Sequence, residues 1–163
     1  MATKIKNELK EEYQGIKYIL TSTMRTKLLL SIYNESKNLD DLRIELEKPS
    51  ATILHGLKEL ENLNFVKKVQ KYYQLTSNGY LLTTNMIKLI DNWYATNKNE
   101  DFWNIHDLTA IPQENLKNIY LLRNAECITS TTSNLSKAYN SYSKLIENAE
   151  ELKITLPIFS ENH

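Results

Sequence analysis

Residues 48–72 of this sequence combine hydrogen-bonding side chains with a local excess of positive charge. Hydroxyl, imidazole and ammonium groups occur at Ser50, Thr52, His55 and Lys58, and further lysines follow at Lys67, Lys68 and Lys71, with Tyr72 beside them. The stretch holds five lysines and two glutamates, a balance of +3. Such groups can donate hydrogen bonds to a polar ligand and attract anionic phosphate.

The apolar residues of the same stretch predict the elements that carry these side chains. Ile53, Leu57, Leu60 and Leu63 recur at helical spacing, which predicts a helix that is capped by Ser50 and buries one stripe. "FVKKV" and "YYQLT" predict two strands joined at Gln70-Lys71, a link of hairpin length.

Capping signals predict three more helices. Ser22 or Thr23 can cap a first helix, and Asn38 a second that ends at Lys48-Pro49. Thr76 can cap a long helix after the hairpin. Three helices, a hairpin and a long exit helix are the plan of a winged helix-turn-helix domain.

The whole chain is predicted to be α+β, mainly α. We expect an N-terminal helical arm at 1–20, a winged helix domain with its exit helix at 21–98, and a small C-terminal α/β segment at 99–163. In that last segment "AECIT", a helix at 134–148 and "LKITLPIF" have the order of a βαβ unit.

Composition excludes several classes of protein. The 163 residues carry 20 basic and 20 acidic side chains, but residues 1–99 have a balance of +4 and residues 100–163 of −4. The N-terminus is too charged for a signal peptide, no apolar run approaches membrane-spanning length, and Cys127 is the single cysteine, so we expect a cytoplasmic protein. We expect Cys127 to be a small buried residue.

No residue pattern supports catalysis or a cofactor. The three histidines lie far apart, no Cys/His cluster has the spacing of a metal site, and no glycine-rich phosphate loop is present. His106-Asp107, the one adjacent His–carboxylate pair, is interpreted as a helix start or a packing motif and not as a catalytic dyad. We therefore predict that the protein is not an enzyme and binds neither metal nor cofactor.

The residues of 48–72 have two interpretations. In the first, Ser50, Thr52 and His55 face the major groove of double-stranded DNA, Lys58 reaches a phosphate, and the hairpin lysines with Tyr72 contact phosphates as a wing. In the second, the lysines only solvate an exposed sheet edge, and the fold is a protein-interaction module. Gly56, costly within a helix, suggests a close approach by some other group.

"SATILHGLKELENLNFVKK" and "YYQLTSNG" resemble the helix, turn and wing of archaeal winged-helix regulators related to the ArsR class. "FWNIHDLTAIPQENLKNIYLLRNAECITST" resembles the segment that follows in methanogen regulators of the filamentation and methanogenesis type. The resemblance spans most of residues 20–160. It implies a DNA-binding transcription regulator that forms a homodimer and has a C-terminal sensing domain.

The same resemblance implies that Ser50, Thr52, His55 and Lys58 are recognition-helix positions and that residues 67–72 form the wing. The C-terminal domain of that family continues past the position of His163. We therefore expect a shortened sensor, whose effector the sequence does not identify, and an acidic second half that serves mainly in dimerisation.

Overall fold

The computed structural model describes residues 10, 13–14 and 16–151. Its first part is built from four helices and three short strands. In chain order they are α1 (Thr23–Ile32), β1 (Lys37–Asn38), α2 (Leu39–Leu46), α3 (Ser50–Asn62), β2 (Val66–Val69), β3 (Tyr72–Leu75) and α4 (Ser77–Lys98). The order of α1 to α4 and of the hairpin agrees with the sequence prediction.

The second part consists of short helices and irregular chain: α5 (Glu100–Ile105), α6 (Gln113–Leu116), a 3₁₀ helix (Ile119–Leu122) and α7 (Lys137–Glu147). The strand predicted at 125–129 is not formed, so the predicted βαβ unit lacks its first strand. The second predicted strand, at 152–159, lies outside the described residues, as does most of the predicted arm.

Local hydrogen bonds explain where three of the helices begin. Ser22 Oγ accepts from Arg25 N–H, and Thr76 Oγ1 accepts from Gly79 N–H. At α2, Asn38 accepts from two backbone amides while Asp41 accepts from the Asn38 amide, which forms a capping box. These caps confirm the sequence prediction, but the cap predicted at Ser50 is wrong. Pro49 is the N-cap of α3, and it offers no side-chain hydrogen bond.

The three strands form one antiparallel sheet in the order β1-β3-β2. The hairpin pairs Val69 with Tyr72, so that Gln70 and Lys71 form the turn, as predicted. Gln70 has a φ of 55°, in the left-handed region that non-glycine residues adopt at some cost in free energy. The two-residue β1, which pairs with β3, was not predicted.

A single apolar cluster holds these elements together. On α3, Ile53, Leu57 and Leu60 are fully buried, whereas Leu63, the last member of the predicted stripe, is 41% exposed. The other buried members of the cluster are Ile19, Leu28, Leu29, Ile32, Leu42, Val66, Tyr73 and Met86. The arrangement is a mainly helical winged helix-turn-helix, which confirms the predicted fold class.

At two glycines a neighbouring element leaves no room for a side chain. A Cβ at Gly56 would lie 2.8 Å from Leu28 Cδ1 and 3.1 Å from Met24 Cγ, so the close approach at this residue is made by α1. A Cβ at Gly79 would lie 1.9 Å from the carbonyl oxygen of Phe65. That oxygen already accepts a 3.0 Å hydrogen bond from Thr76 N–H, so the start of α4 is fixed against the start of the hairpin.

We predict that Gly79→Ala lowers the free energy of unfolding by about 2–3 kcal/mol, because backbone must move to admit the methyl group. Gly56→Ala is the comparison variant. Its clash is with flexible side chains and is offset by the better helix propensity of alanine, about 1 kcal/mol, so its loss should be smaller. Urea unfolding of both variants measures the difference. Equal losses would contradict this account of the α4 start.

Candidate nucleic-acid interface

The exposed face of α3 carries most of the side chains predicted to contact a ligand. Thr52, His55 and Lys58 are exposed, and His55 keeps 77% of its side chain open to solvent. Ser50 is only half-buried at the turn from α2 and lines a hollow together with residues of α2. The structure thus places three of the four predicted helix positions on the solvent side and Ser50 at its edge.

The wing lysines are divided between the two faces of the hairpin. Paired residues of neighbouring strands share a face, and Lys68 pairs with the buried Tyr73, whereas Lys67 pairs with Gln74. Lys68 Nζ lies 5.2 Å from the centre of the Tyr73 ring. Lys68 is therefore on the face that turns toward the helices, and Lys67 is on the opposite face.

A hollow between the wing and the helices joins the two sets of residues. Its lining residues are Asn38, Leu39, Asp40, Leu54, Lys68, Lys71 and Tyr73. Lys71 Nζ lies 5.5 Å from the centre of the Tyr72 ring, and both residues are exposed. The acid in this hollow, Asp40, accepts a 3.1 Å hydrogen bond from Arg43. Lys68 and Lys71 thus share a surface with α3, which Lys67 does not.

Glu59, on the flank of α3 that faces α1, is held by two partners. Its carboxylate accepts a hydrogen bond from Tyr18 Oη and forms a 2.8 Å ion pair with Arg25. These contacts, first the hydrogen bond from Tyr18 and then that from Arg25, hold the pKa of Glu59 below its usual value. His55 Nε2 lies 3.7 Å from the same carboxylate. The negative charge of Glu59 is therefore compensated from within the fold.

Arg25 connects three parts of the structure through the same guanidinium group. Besides Glu59, it donates two hydrogen bonds to the carbonyl oxygen of Tyr18 and lies 3.7 Å from the centre of the Tyr18 ring. The helical segment at 16–20, α1 and α3 are thereby joined at one point. Neither Arg25 nor Tyr18 was singled out from the sequence, because their partner Glu59 is 34 or more residues away.

The N-terminal end of α3 has no side-chain cap. The amides of Thr52 and Ile53 both donate to the carbonyl oxygen of Pro49, and no side chain caps the helix. The helix dipole gives this end a partial positive charge. The hollow at this helix start is lined by Arg43 and Lys48 as well as by Asp40 and Glu47, and a helix N-terminus is in general a favourable position for phosphate.

None of residues 99–151 lines the hollow between the wing and the helices. The 3₁₀ helix packs against α4, where Arg123 forms an ion pair with Asp91 and lies 4.7 Å from the centre of the Tyr94 ring. His106 stacks on Phe102 with a ring separation of 4.1 Å, which accords with its interpretation as a packing residue. Cys127 is exposed, so the prediction of a buried cysteine is wrong.

Among residues 10, 13–14 and 16–151, no group of three or more histidine, cysteine, aspartate or glutamate side chains could hold a metal ion. In the same part of the chain, no helix has both the length and the apolar character to span a membrane.

Comparison with known proteins places this geometry in context. Residues 13–93 match the model of the N-terminal domain of the methanogenesis regulatory protein FilR1. The methanogenesis regulatory protein FilR1 of Methanothrix harundinacea (strain 6Ac) is 22% identical to this chain over 146 residues, which cover 88% of this chain and 32% of that protein. The chain thus spans about a third of the length of that relative, and its winged helix is FilR1-like.

Among solved structures, the crystal structure of T. acidophilum IdeR superimposes with a TM-score of 0.36. It shares 13% sequence identity, and the match covers 74% of this chain and 53% of that chain. A likeness at this level does not bear on what the chain does.

We predict that Glu59→Gln lowers the free energy of unfolding by roughly 1 kcal/mol at neutral pH, because an ion pair with Arg25 is removed. The wild-type contribution is fully present above the ordinary carboxyl pKa of 4.5 and is lost as the pH falls through the lower pKa of the folded state. The free energy of unfolding of the variant should lack this pH-dependent contribution. Denaturant titrations at several pH values measure it.

Glu61→Gln is the matched control, since Glu61 is an exposed carboxylate of the same helix. It should leave both the stability and its pH dependence unchanged. Identical pH profiles for wild type and Glu59→Gln would contradict the role assigned to the Tyr18–Arg25–Glu59 contacts.

Proposed function

We propose that this chain is a sequence-specific transcriptional regulator that binds double-stranded DNA through α3 and the wing. The observation that carries the proposal is the hollow that Leu54 of α3 shares with Lys68 and Lys71, on a helix whose Thr52, His55 and Lys58 are exposed. Two acids at its margins, Glu59 and Asp40, are paired with Arg25 and Arg43, so they do not neutralise the lysines of this surface.

In this proposal the side chains of α3 contact different parts of the DNA, according to their position along the helix. Thr52 and His55 face base edges in the major groove, where hydroxyl and imidazole groups can donate or accept hydrogen bonds. Ser50 contributes from the helix start, where the backbone amides and the dipole favour a phosphate. Lys58, one turn further along, reaches the backbone of the duplex.

The wing supplies contacts that are independent of sequence. Lys71 and Tyr72 at the hairpin tip, with Lys68 behind them, would follow a phosphate backbone beside the groove that α3 occupies. Lys67 lies on the other face of the hairpin and would contribute through its charge at longer range. Phosphate contacts of this kind fix the register of the protein and make its affinity depend on salt.

The comparisons support the proposal at the level of protein class. The matched family is a domain of a regulatory protein, and the curated relative is also a methanogenesis regulatory protein. Since the chain covers 32% of that relative, a role in regulating methanogenesis, a sensed effector and cytoplasmic action are part of the proposal. A relation to the ArsR class also remains a prediction.

The alternative function is a winged helix that binds another protein. The same exposed face of α3 would then dock on a partner, and the lysines would only solvate the edge of the sheet. The salt dependence of binding distinguishes the two functions, because DNA binding through several lysines releases counterions and weakens steeply as the salt concentration rises.

We predict that Lys68→Ala with Lys71→Ala weakens binding to every duplex and reduces the slope of log K against log salt by about 0.9 for each phosphate that is no longer neutralised. Lys67→Ala should change the slope less, because Lys67 is on the far face of the wing. Fluorescence anisotropy with a labelled duplex at two or more salt concentrations measures both. Lys117→Ala with Lys137→Ala, which removes two exposed lysines outside the proposed surface, is the charge-matched control.

No binding of the wild type at low salt would contradict the proposed function. An effect of the double control variant, Lys117→Ala with Lys137→Ala, as large as that of Lys68→Ala with Lys71→Ala would show that binding is only a response to net charge.

We further propose that the protein acts as a homodimer paired through α4. Leu89 and Trp93, four residues apart on one helical face, are 55% and 64% exposed. The neighbouring Ile90 is also exposed. Pairing of two α4 helices would bury these side chains and hold two α3 helices for adjacent half-sites, which lie about 34 Å apart on DNA.

We predict that Trp93→Lys converts a dimer into a monomer at micromolar concentration, since a charge would enter the apolar contact. Sedimentation velocity gives the mass. Ile105→Lys, at a residue that is 80% exposed on α5, is the control and should remain dimeric. A monomeric wild type, or a Trp93→Lys variant that stays dimeric, would contradict pairing through α4.

A further inference from the structure

Leu54 is an exposed apolar residue in the middle of the surface proposed to bind DNA. It is 42% exposed although it lies on α3, where Ile53 and Leu57 are fully buried. Its neighbours on the solvent side include Ala51, three residues earlier, and Lys58, four residues later. The fold itself therefore leaves an aliphatic patch, Ala51 with Leu54, on the first half of α3.

The polar groups around this patch would hold it against a duplex. Leu54 shares its hollow with Lys68 and Lys71, so phosphates bound by these lysines would lie beside the leucine side chain. The uncapped start of α3 gives a second anchor for phosphate on the same half of the helix. Leu54 then lies between backbone contacts, where the base edges of the major groove are exposed.

The side chains of α3 restrict which bases this patch can recognise. The helix contains neither arginine nor glutamine, and its asparagine and lysine, Asn62 and Lys58, lie in the second half. Bidentate contacts to guanine or adenine are thus not provided by its first two turns. An aliphatic side chain instead recognises the C5-methyl group of thymine, which projects into the major groove.

We infer that Leu54, with Ala51 beside it, is a specificity-determining residue that recognises thymine methyl groups. This inference rests on the proposed function and adds the class of sequence that is preferred. The chain favours major-groove sites with a thymine under the first half of α3. The contribution comes from burial of the methyl group against the leucine, and a buried methyl group changes affinity roughly fourfold.

The experiment compares duplexes that differ in this methyl group. The full chain is titrated by fluorescence anisotropy against alternating A·T duplexes of about two helical turns and against the same duplexes with deoxyuridine in place of thymidine. Base-pairing groups are identical in the two. We expect the deoxyuridine duplex to bind roughly fourfold more weakly for each methyl group contacted. Alternating G·C duplexes with and without 5-methylcytosine provide the converse test, in which added methyl groups should strengthen binding.

Two variants assign the effect to Leu54. Leu54→Ala should bring the ratio of the two dissociation constants close to one while the salt dependence persists. Leu63→Ala is the matched control, since Leu63 is 41% exposed at the end of the same helix. It should retain the wild-type ratio. Circular dichroism of both variants verifies that the helices are intact.

Three results would overturn three different claims: methyl recognition, its assignment to Leu54, and DNA binding itself. Equal, salt-dependent affinity of the wild type for thymidine and deoxyuridine duplexes would overturn methyl recognition and leave DNA binding standing. A Leu54→Ala variant that keeps the wild-type ratio would overturn the assignment to Leu54. Absence of binding to every duplex at low salt would overturn both this inference and the proposed function.

Discussion

The packing of α1 against α3 around Gly56 is the contact on which the orientation of α3, and with it the candidate surface, depends. Leu28 and Met24 of α1 occupy the space that a side chain at this position would need. Because α1 packs on this side of α3, the buried stripe of α3 faces inward and the opposite side of the helix stays exposed. The residues that could meet a ligand are therefore selected by a packing contact on the other side of the helix.

Polar contacts then fix the angle and the charge of the exposed side. Arg25 joins α1, the segment at 16–20 and α3 through Glu59, and in doing so it compensates the carboxylate on that flank of α3. At the other flank, Lys68 is turned toward the helices because its cross-strand partner Tyr73 belongs to the core. Core packing and surface charge are thus set by the same few residues, and the lysine surface is a consequence of the register of the hairpin.

Local patterns in the sequence were sufficient to predict the main elements. The caps at Ser22, Asn38 and Thr76, and the turn at Gln70-Lys71, depend on residues within three positions of one another, which a sequence displays directly. β1 was missed because two residues carry no periodicity, and its pairing with β3 is non-local. The Ser50 cap failed because Pro49, with φ −59°, itself occupies the N-cap position.

The candidate surface was predicted in its residue types but not in its geometry. Exposure of Thr52, His55 and Lys58 follows from helical spacing, whereas the separation of Lys67 from Lys68 follows from pairing across the hairpin. Gly56 was correctly seen as a point of close approach, yet only the packing of α1 shows what approaches it. The exposure of Leu54 was not predicted, because a leucine next to a buried stripe is ordinarily assigned to the core.

Hydrogen–deuterium exchange of the full chain with and without a low-salt duplex tests the central claim most directly. Binding through α3 and the wing should slow amide exchange in residues 50–62 and 66–72, with little change in residues 100–151. Slower exchange confined to residues 100–151, with α3 and the wing unchanged, would contradict the proposed interface.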